Sequence, residues 1–173
     1  MDFPAGVHVG RLPYHACAVR IRTATVEDCP ALADFLALAF SEDQEYFDPT
    51  PLREIEDEIK AGDNWLIAEH AGRIVGCVCA QNTDFVCGVI KQLAVEAKTR
   101  RTGYGDELMQ EAERRLRILG CDEVIIAVME YKPKWLFDSY EKWGYHVDPT
   151  IEAGLLVQPK KPCNAIYMAK DLV

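Results

Sequence analysis

The chain has 173 residues, 49% hydrophobic and 27% charged, with a formal net charge of −9. That length and mixture describe one soluble globular domain burying about two thirds of its unfolded surface. The acidic balance argues against nucleic acid as a main partner, since such binders set many Lys and Arg against phosphates, and no run approaches the ~18–20 apolar residues of a membrane span.

Residues 1–18 hold Pro4, Gly6, Gly10 and Pro13 without sustained periodicity and read as an irregular extension. Asp2, His8, Arg11 and His15 interrupt any apolar leader, so a cytoplasmic location is expected. Val19–Thr23 alternates as a short strand. Thr25-x-x-Asp28 resembles a capping box ahead of a helix to Phe40, whose Leu32, Phe35, Leu36, Ala39 and Phe40 share one face. Thr50-Pro51 with Glu54 announces a second helix, with Thr50 as cap and Pro51 as first helical residue, running to about Ala61 before Gly62-Asp63-Asn64. Trp65–Glu69 and Arg73–Gln81 read as strands joined by His70-Ala71-Gly72. Val86–Val95 is a third apolar run. A helix over Asp106–Leu119 follows, with Leu108, Met109, Ala112, Leu116 and Leu119 at core spacing and Gly120 closing it. Val124–Met129 is nearly continuous in apolar residues, as for a strand buried on both faces. A shorter helix spans Lys134–Trp143, and two last strands fall around Tyr145–Val157 and Asn164–Leu172. This order predicts a mixed α/β sheet with helices on both faces, built as one domain over residues 19–173.

Seven cysteines cannot all pair within one chain. Cys77-x-Cys79 is too tight for the usual zinc spacing and lacks a second pair or His partners. On a strand, positions 77 and 79 share a face, where free Cys behaves as a small hydrophobe. Core packing, a reducing compartment and no metal are the expectations.

The segment Arg100-Arg101-Thr102-Gly103-Tyr104-Gly105 lies between an apolar strand and a helix. Strand, glycine turn and helix together aim free backbone amides and the positive end of a helix dipole at one point, which suits an anion. Gly103 and Gly105 allow unusual dihedrals and close approach of a phosphate. No Gly-Lys-Ser/Thr follows, which argues against a P-loop, and the spacing is not that of a dinucleotide fingerprint. The Arg-x-x-Gly-x-Gly spacing resembles the signature with which the GNAT acyltransferase superfamily binds the pyrophosphate of coenzyme A. Ser139-Tyr140-Glu141-Lys142-Trp143-Gly144-Tyr145 is similar to that family's Phe-Tyr-x-x-x-Gly-Phe segment, with Ser139 and Tyr145 in place of the phenylalanines. Ile166–Leu172 is similar to its last strand. The element order agrees over residues 19–172.

The resemblance implies a mostly antiparallel mixed sheet with a splayed central strand pair, and acetyl-CoA as co-substrate. Val89–Val95 would part from Val124–Met129 and pair with the pantetheine arm near Leu93, Ala94 and Val95, an amide such as that of Ala94 facing the thioester carbonyl. The amides and charges of Arg100, Arg101, Thr102, Gly103, Tyr104 and Gly105 would hold the pyrophosphate. Tyr140 aligns with a tyrosine that acts as general acid toward the leaving thiolate, the other reading being an aromatic packed under the cofactor. Pro133 stands where the family often has an Asn that bonds the cofactor arm, and Tyr131-Lys132-Pro133-Lys134 offers lysines toward the phosphates instead.

No carboxylate lies on Cys87–Gln92, where some relatives carry a base. Glu69, Glu130, His146 or a water relay are the substitutes. The connection Ser41–Asp48 would line the acceptor pocket, and Glu42, Asp43, Glu45 and Tyr46 suit a cationic primary amine on a small molecule or peptide, unless the loop is simply a solvated acidic surface. The expected activity is direct acetyl transfer in a ternary complex. A non-catalytic acyl-CoA sensor is the alternative, and a homodimer stays open.

Overall fold

The computed structural model describes residues 19–83, 86–151 and 158–173. The expected N-terminal extension, Cys17 and the end of the expected strand at 152–157 lie outside the described residues.

Among the described residues, seven strands and four α-helices form a single α/β sheet structure. They are β1 (Arg20–Thr23), α1 (Cys29–Ala39), α2 (Leu52–Ala61), β2 (Asn64–His70), β3 (Arg73–Asn82), β4 (Cys87–Val95), α3 (Tyr104–Ile118), β5 (Glu123–Met129), α4 (Lys134–Lys142), β6 (His146–Val147) and β7 (Ala165–Asp171). The sheet order is β1-β2-β3-β4-β5-β7-β6, and every neighbour is antiparallel except the central pair β4/β5. A parallel pair needs a crossover, and α3 supplies it.

The alternation of side chains explains why helices are needed on both faces. In β2, Leu66 and Ala68 belong to the core beneath α3, with Leu108, Met109, Ala112 and Leu116, whereas Trp65 and Ile67 join Leu32 and Leu36 of α1 and Ile55 of α2 on the opposite face. Each fully buried Leu or Ile contributes roughly 1.5–3 kcal/mol relative to exposure. The close approach of α3 depends on Gly88, where an added Cβ would lie 2.7 Å from a Leu116 methyl. A buried polar cluster adds a second lock. Glu113 of α3 accepts from the Tyr145 hydroxyl at 3.0 Å and from Lys170 Nζ of β7 at 2.8 and 2.9 Å.

Several boundaries differ from expectation for identifiable reasons. The Thr25–Asp28 capping box forms, but it heads a single 3₁₀ turn, Val26–Asp28, that leads into α1. Pro51, not Thr50, occupies the cap position of α2, with φ −64° and ψ 142°. The hairpin turn is two residues, because Ala71 (φ 50°) and Gly72 (φ 73°) supply the two left-handed positions and His70 already pairs with Arg73. Leu119 is 43% exposed, since the helix has ended at Ile118 and Leu119 serves as its C-cap.

β5 is buried on one face only. Val124, Ile126 and Val128 are in the core, while Ala127 is exposed, because α1 packs on β3 and β4 and does not extend the helical layer over β5. β6 is only two residues long, ending where Asp148 accepts from the Thr150 amide at 2.8 Å and Pro149 offers no donor. Cys29, Cys77, Cys79 and Cys121 are buried thiols outside any disulfide, and burial pushes Cys77 and Cys79 well above the usual range.

Candidate active site

β4 and β5 pair over only three residues, Cys87↔Glu123, Gly88↔Val124 and Val89↔Ile125. Beyond Val89 the strands diverge, and the backbone of β4 loses its partner on the β5 side. A cavity of about 280 Å³ opens at this point, lined from β4 by Ile90–Leu93, from β5 by Ile126–Met129, from α4 by Leu136 and Tyr140, and from the α1–α2 connection by Asp43–Gln44 and Phe47–Thr50. The other edge of β4 is disturbed too. One residue of β3 (Val78) stands opposite two of β4 (Gln92 and Leu93), and Gln92 takes φ 57°. This is a β-bulge, with a non-glycine residue in a conformation that costs on the order of 1 kcal/mol.

The bulge is held from two sides. Cys77 Sγ donates to the Gln92 carbonyl at 3.5 Å, and Gln92 Nε2 donates to Thr50 Oγ1 at 2.9 Å. The Thr50 hydroxyl thus serves β4 and not the end of α2. The Ala94 amide lies opposite Cys77 of β3, two residues before the Glu96 amide that donates to the Val75 carbonyl, so it is directed toward β3 and away from the cavity. Leu93 and Val95 pack toward the α3 core and Ala94 toward the α1/α2 core.

After β4 the chain makes a 3₁₀ turn, Ala97–Thr99, that the sequence pattern did not reveal. Arg100 is extended, Arg101 (φ 66°) and Gly103 (φ 90°) are left-handed, and α3 begins at Tyr104 with Gly103 as its cap. Left-handed residues next to a helix N-terminus gather backbone amides into a concave anion site. Thr102 Oγ1 donates to the Thr99 carbonyl, fixing the turn internally. Gly105 differs from Gly103. Its backbone is ordinary helix, and a Cβ there would meet only Val95 and Trp143 at 3.8 Å, a normal contact. Conformational need therefore singles out Gly103. Arg100 stacks its guanidinium 5.9 Å from the exposed Trp135 ring, and Arg101 is exposed.

Tyr140 is 9% exposed and lines the cavity. Its ring meets Trp143 and Tyr145 edge-on, at 5.5 and 5.9 Å. Burial pushes its phenol up to about 12. Its hydroxyl has no protein hydrogen-bond partner among the described residues, unlike the other buried tyrosine, Tyr145. Trp143 Nε1 also donates to Asp106 in the first turn of α3, so one aromatic connects the turn to Tyr140.

The sequence profile of the acetyltransferase (GNAT) family matches residues 30–145. This chain belongs to the GNAT acetyltransferase family. Among solved structures it is similar to N-acetylglutamate synthase from Neisseria gonorrhoeae, complexed with coenzyme A and N-acetyl-glutamate, with TM-score 0.73 and 19% identity over 90% of this chain and 35% of that one. It is similar also to a ribosomal-protein-alanine N-acetyltransferase from Brucella melitensis (TM-score 0.70, 19% identity, 88% and 99% covered). The PaiA N-acetyltransferase from Thermoplasma acidophilum in complex with coenzyme A gives TM-score 0.68 and 16% identity over 89% and 99%. A search of the curated proteins finds no match.

In this GNAT chain the acidic connection lies where expected, yet its charges are mostly engaged. It folds as a 3₁₀ turn, Ser41–Glu45, with the Tyr46 and Phe47 amides donating back to the Asp43 carbonyl. Asp43 is ion-paired with Lys132 and accepts from the Tyr131 hydroxyl at 3.1 Å. Glu45 pairs with Lys161, and Asp48 with Lys160 at 2.6 Å. Tyr46 stacks on Tyr131 with centroids 4.0 Å apart, and Glu42 is exposed. Lys132 therefore turns into the cavity, and Lys134 pairs with Asp138, so the phosphate-facing role expected of these lysines is not what their contacts show.

The expected substitutes for a base lie elsewhere. Glu69 pairs with Arg22 at 3.0 Å, Glu130 accepts from Asn164 at 3.1 Å, and His146 is exposed on β6. None lines the cavity, whose carboxylates are Asp43 and Asp48. Lys91 reaches away to Glu58 of α2; burial lowers it, but the Glu58 hydrogen bond together with the nearby negative groups Cys79, Glu58 and Asp63 outweighs burial and raises it, keeping it cationic. Among the described residues no helix is long and apolar enough to cross a membrane.

Proposed function

We propose that this GNAT chain is an acetyl-CoA-dependent N-acetyltransferase that moves an acetyl group to a primary amine by direct attack, with both substrates bound in the cavity between β4 and β5. The observation that carries this reading is the unpartnered Tyr140 hydroxyl at a cavity flanked by unpaired β4 backbone. Neighbours whose structures contain coenzyme A support the cofactor, and the N-acetyl-glutamate of one of them supports an amine acceptor.

The residues divide the work. The amides around Arg101–Gly105, with Arg100 and Arg101, suit the pyrophosphate, and the free β4 edge suits an extended amide-bearing arm. With the Ala94 amide directed toward β3, the bulge amide of Leu93 is the donor we assign to the thioester carbonyl. One such donor contributes roughly 10²–10³-fold to rate. The amine nitrogen attacks the carbonyl carbon, the C–N bond forms and the C–S bond breaks. The amine gives up a proton to water or to Asp43, and the sulfur is stabilised by the Tyr140 hydroxyl.

A phenol raised by burial to about 12 holds its proton more tightly than an ordinary thiol of about 8.5, so complete proton transfer to the thiolate is uphill. Tyr140 therefore acts as a hydrogen-bonding acid that stabilises developing thiolate, and solvent completes protonation. A cytoplasmic site of action belongs to the same reading. The test is release of free thiol from acetyl-CoA, dependent on an added amine and matched by N-acetylated product. Thioester binding without amine-dependent release would favour a sensor instead.

A further inference from the structure

Resting on the acetyltransferase reading, we propose that the Asp43–Lys132 pair recognises an acceptor carrying a carboxylate beside its amine, a zwitterion of the α-amino-acid class, in preference to a purely cationic amine. The ionisable side chains lining the cavity are Asp43, Asp48, Lys91, Lys132, Tyr131 and Tyr140. Two of the four charged groups are satisfied by residues outside the lining: Asp48 by Lys160, with its own side chain 81% exposed, and Lys91 by Glu58. Asp43 and Lys132 differ, because they neutralise each other inside the cavity at 14% and 22% exposure, from its two opposite lips.

A ligand of one sign must break this pair and leave the other member partly buried and unpaired, which is strongly unfavourable. A cationic amine competing for Asp43 strands Lys132, and an anion competing for Lys132 strands Asp43. A zwitterion inserts between them, ammonium to Asp43 and carboxylate to Lys132, and strands neither. Each member also keeps a second partner as the pair opens. The Tyr131 hydroxyl still donates to Asp43 at 3.1 Å, and the Lys132 ammonium lies 5.7 Å from the Phe40 ring and 5.6 Å from the Tyr131 ring. The pair thus narrows the acceptor from cationic amines to amines with an adjacent anion.

The experiment follows thiol release from acetyl-CoA with the free proteinogenic α-amino acids, the matching α-amino carboxamides and the matching decarboxylated monoamines. In the native protein the best amino acid should exceed its carboxamide and its monoamine in kcat/KM by at least about 10-fold, the scale of one charge-assisted hydrogen bond. Lys132→Met should reverse that ratio by freeing Asp43 for a cation, Lys132→Arg should restore it, and the charge-neutral D43N/K132M protein should lose discrimination while keeping its fold by circular dichroism. Carboxamides or monoamines as the best native acceptors, or an unchanged ratio in Lys132→Met, overturn the proposal. Calorimetric titration of the same three sets into the coenzyme A complex separates the two claims. Preferential binding of amino acids without any thiol release refutes acyl transfer and sustains the recognition, and absence of both preference and turnover overturns the recognition as well.

Discussion

The two sides of the cavity are built from different materials. The side formed by β4 and the turn into α3 offers backbone: an unpaired strand edge beyond Val89, a bulge at Gln92 and the amides around Gly103. The side formed by the α1–α2 connection offers side chains already joined to one another, with Asp43, Glu45 and Asp48 each tied to a lysine. Backbone groups fixed by strand and helix are preorganised for a constant ligand portion, whereas exchangeable ion pairs select among variable ones. The contrast teaches that the net charge of −9 says little about the cavity, where local pairing has already cancelled most of the acidic loop.

The largest expected effect tests Tyr140, which α4 brings to the cavity. Tyr140→Phe keeps the ring contacts with Trp143 and Tyr145 and removes the donor, so kcat should fall roughly 10–1000-fold with the affinity for acetyl-CoA almost unchanged. An equal loss in coenzyme A affinity, measured by calorimetry, would move Tyr140 to a packing role. Next comes the turn. Gly103→Val forces a β-branched residue to φ 90° and should weaken acetyl-CoA binding by roughly 10-fold or more, whereas Gly105→Ala, with room for its Cβ, should cost less than about 3-fold unless the ligand itself touches that carbon. Equal losses in the two variants would show that ligand contact, not backbone conformation, governs the turn.

Glu113 lies away from the cavity and provides a stability contrast. Glu113→Gln leaves Lys170 beside a neutral amide and should destabilise the fold by roughly 3 kcal/mol, read as a lower Tm, without altering KM for either substrate. A changed KM would make the α3 lock part of the site.

The pH dependence is smaller and has a definite sign. Burial raises the Tyr140 phenol to about 12, so its proton is retained through pH 10, where an ordinary phenol loses it. Background-corrected kcat should show no fall near pH 10 and decline only as pH approaches about 12. An alkaline limb centred at or below 10 contradicts the buried phenol. Smallest of all is salt. With the acids paired, raising ionic strength should shift the acceptor KM by less than about 2-fold; a steep rise would restore the acidic loop as a long-range attractor.

Much of the backbone side was legible because its signals are local. Arg100–Gly105 lies within one turn of chain, and Tyr140 sits in a segment of seven residues ending at Tyr145. The side-chain side was not, because Asp43 and Lys132 are separated by 89 positions and no helical or strand period relates them. The acids at 42–48 were visible as charges, but their lysine partners at 132, 160 and 161 were visible only as lysines. The same limit explains β5, whose apolar run is that of a strand covered on both faces although one face borders the cavity. It also explains Glu113, whose partners Tyr145 and Lys170 come from later elements. The bulge at Gln92 left no sign either, since neither glycine nor proline marks it.

The most direct test is a single-turnover mixture of native protein, acetyl-CoA and an α-amino-acid acceptor, quenched and resolved into free thiol and N-acetylated product, run beside Tyr140→Phe. The expected result is thiol and acetylated amine in equal amounts, formed roughly 10–1000-fold more slowly by Tyr140→Phe. Thiol released at the same rate without an acceptor, or equal rates for both proteins with chemistry limiting, would contradict acetyl transfer at this cavity through Tyr140.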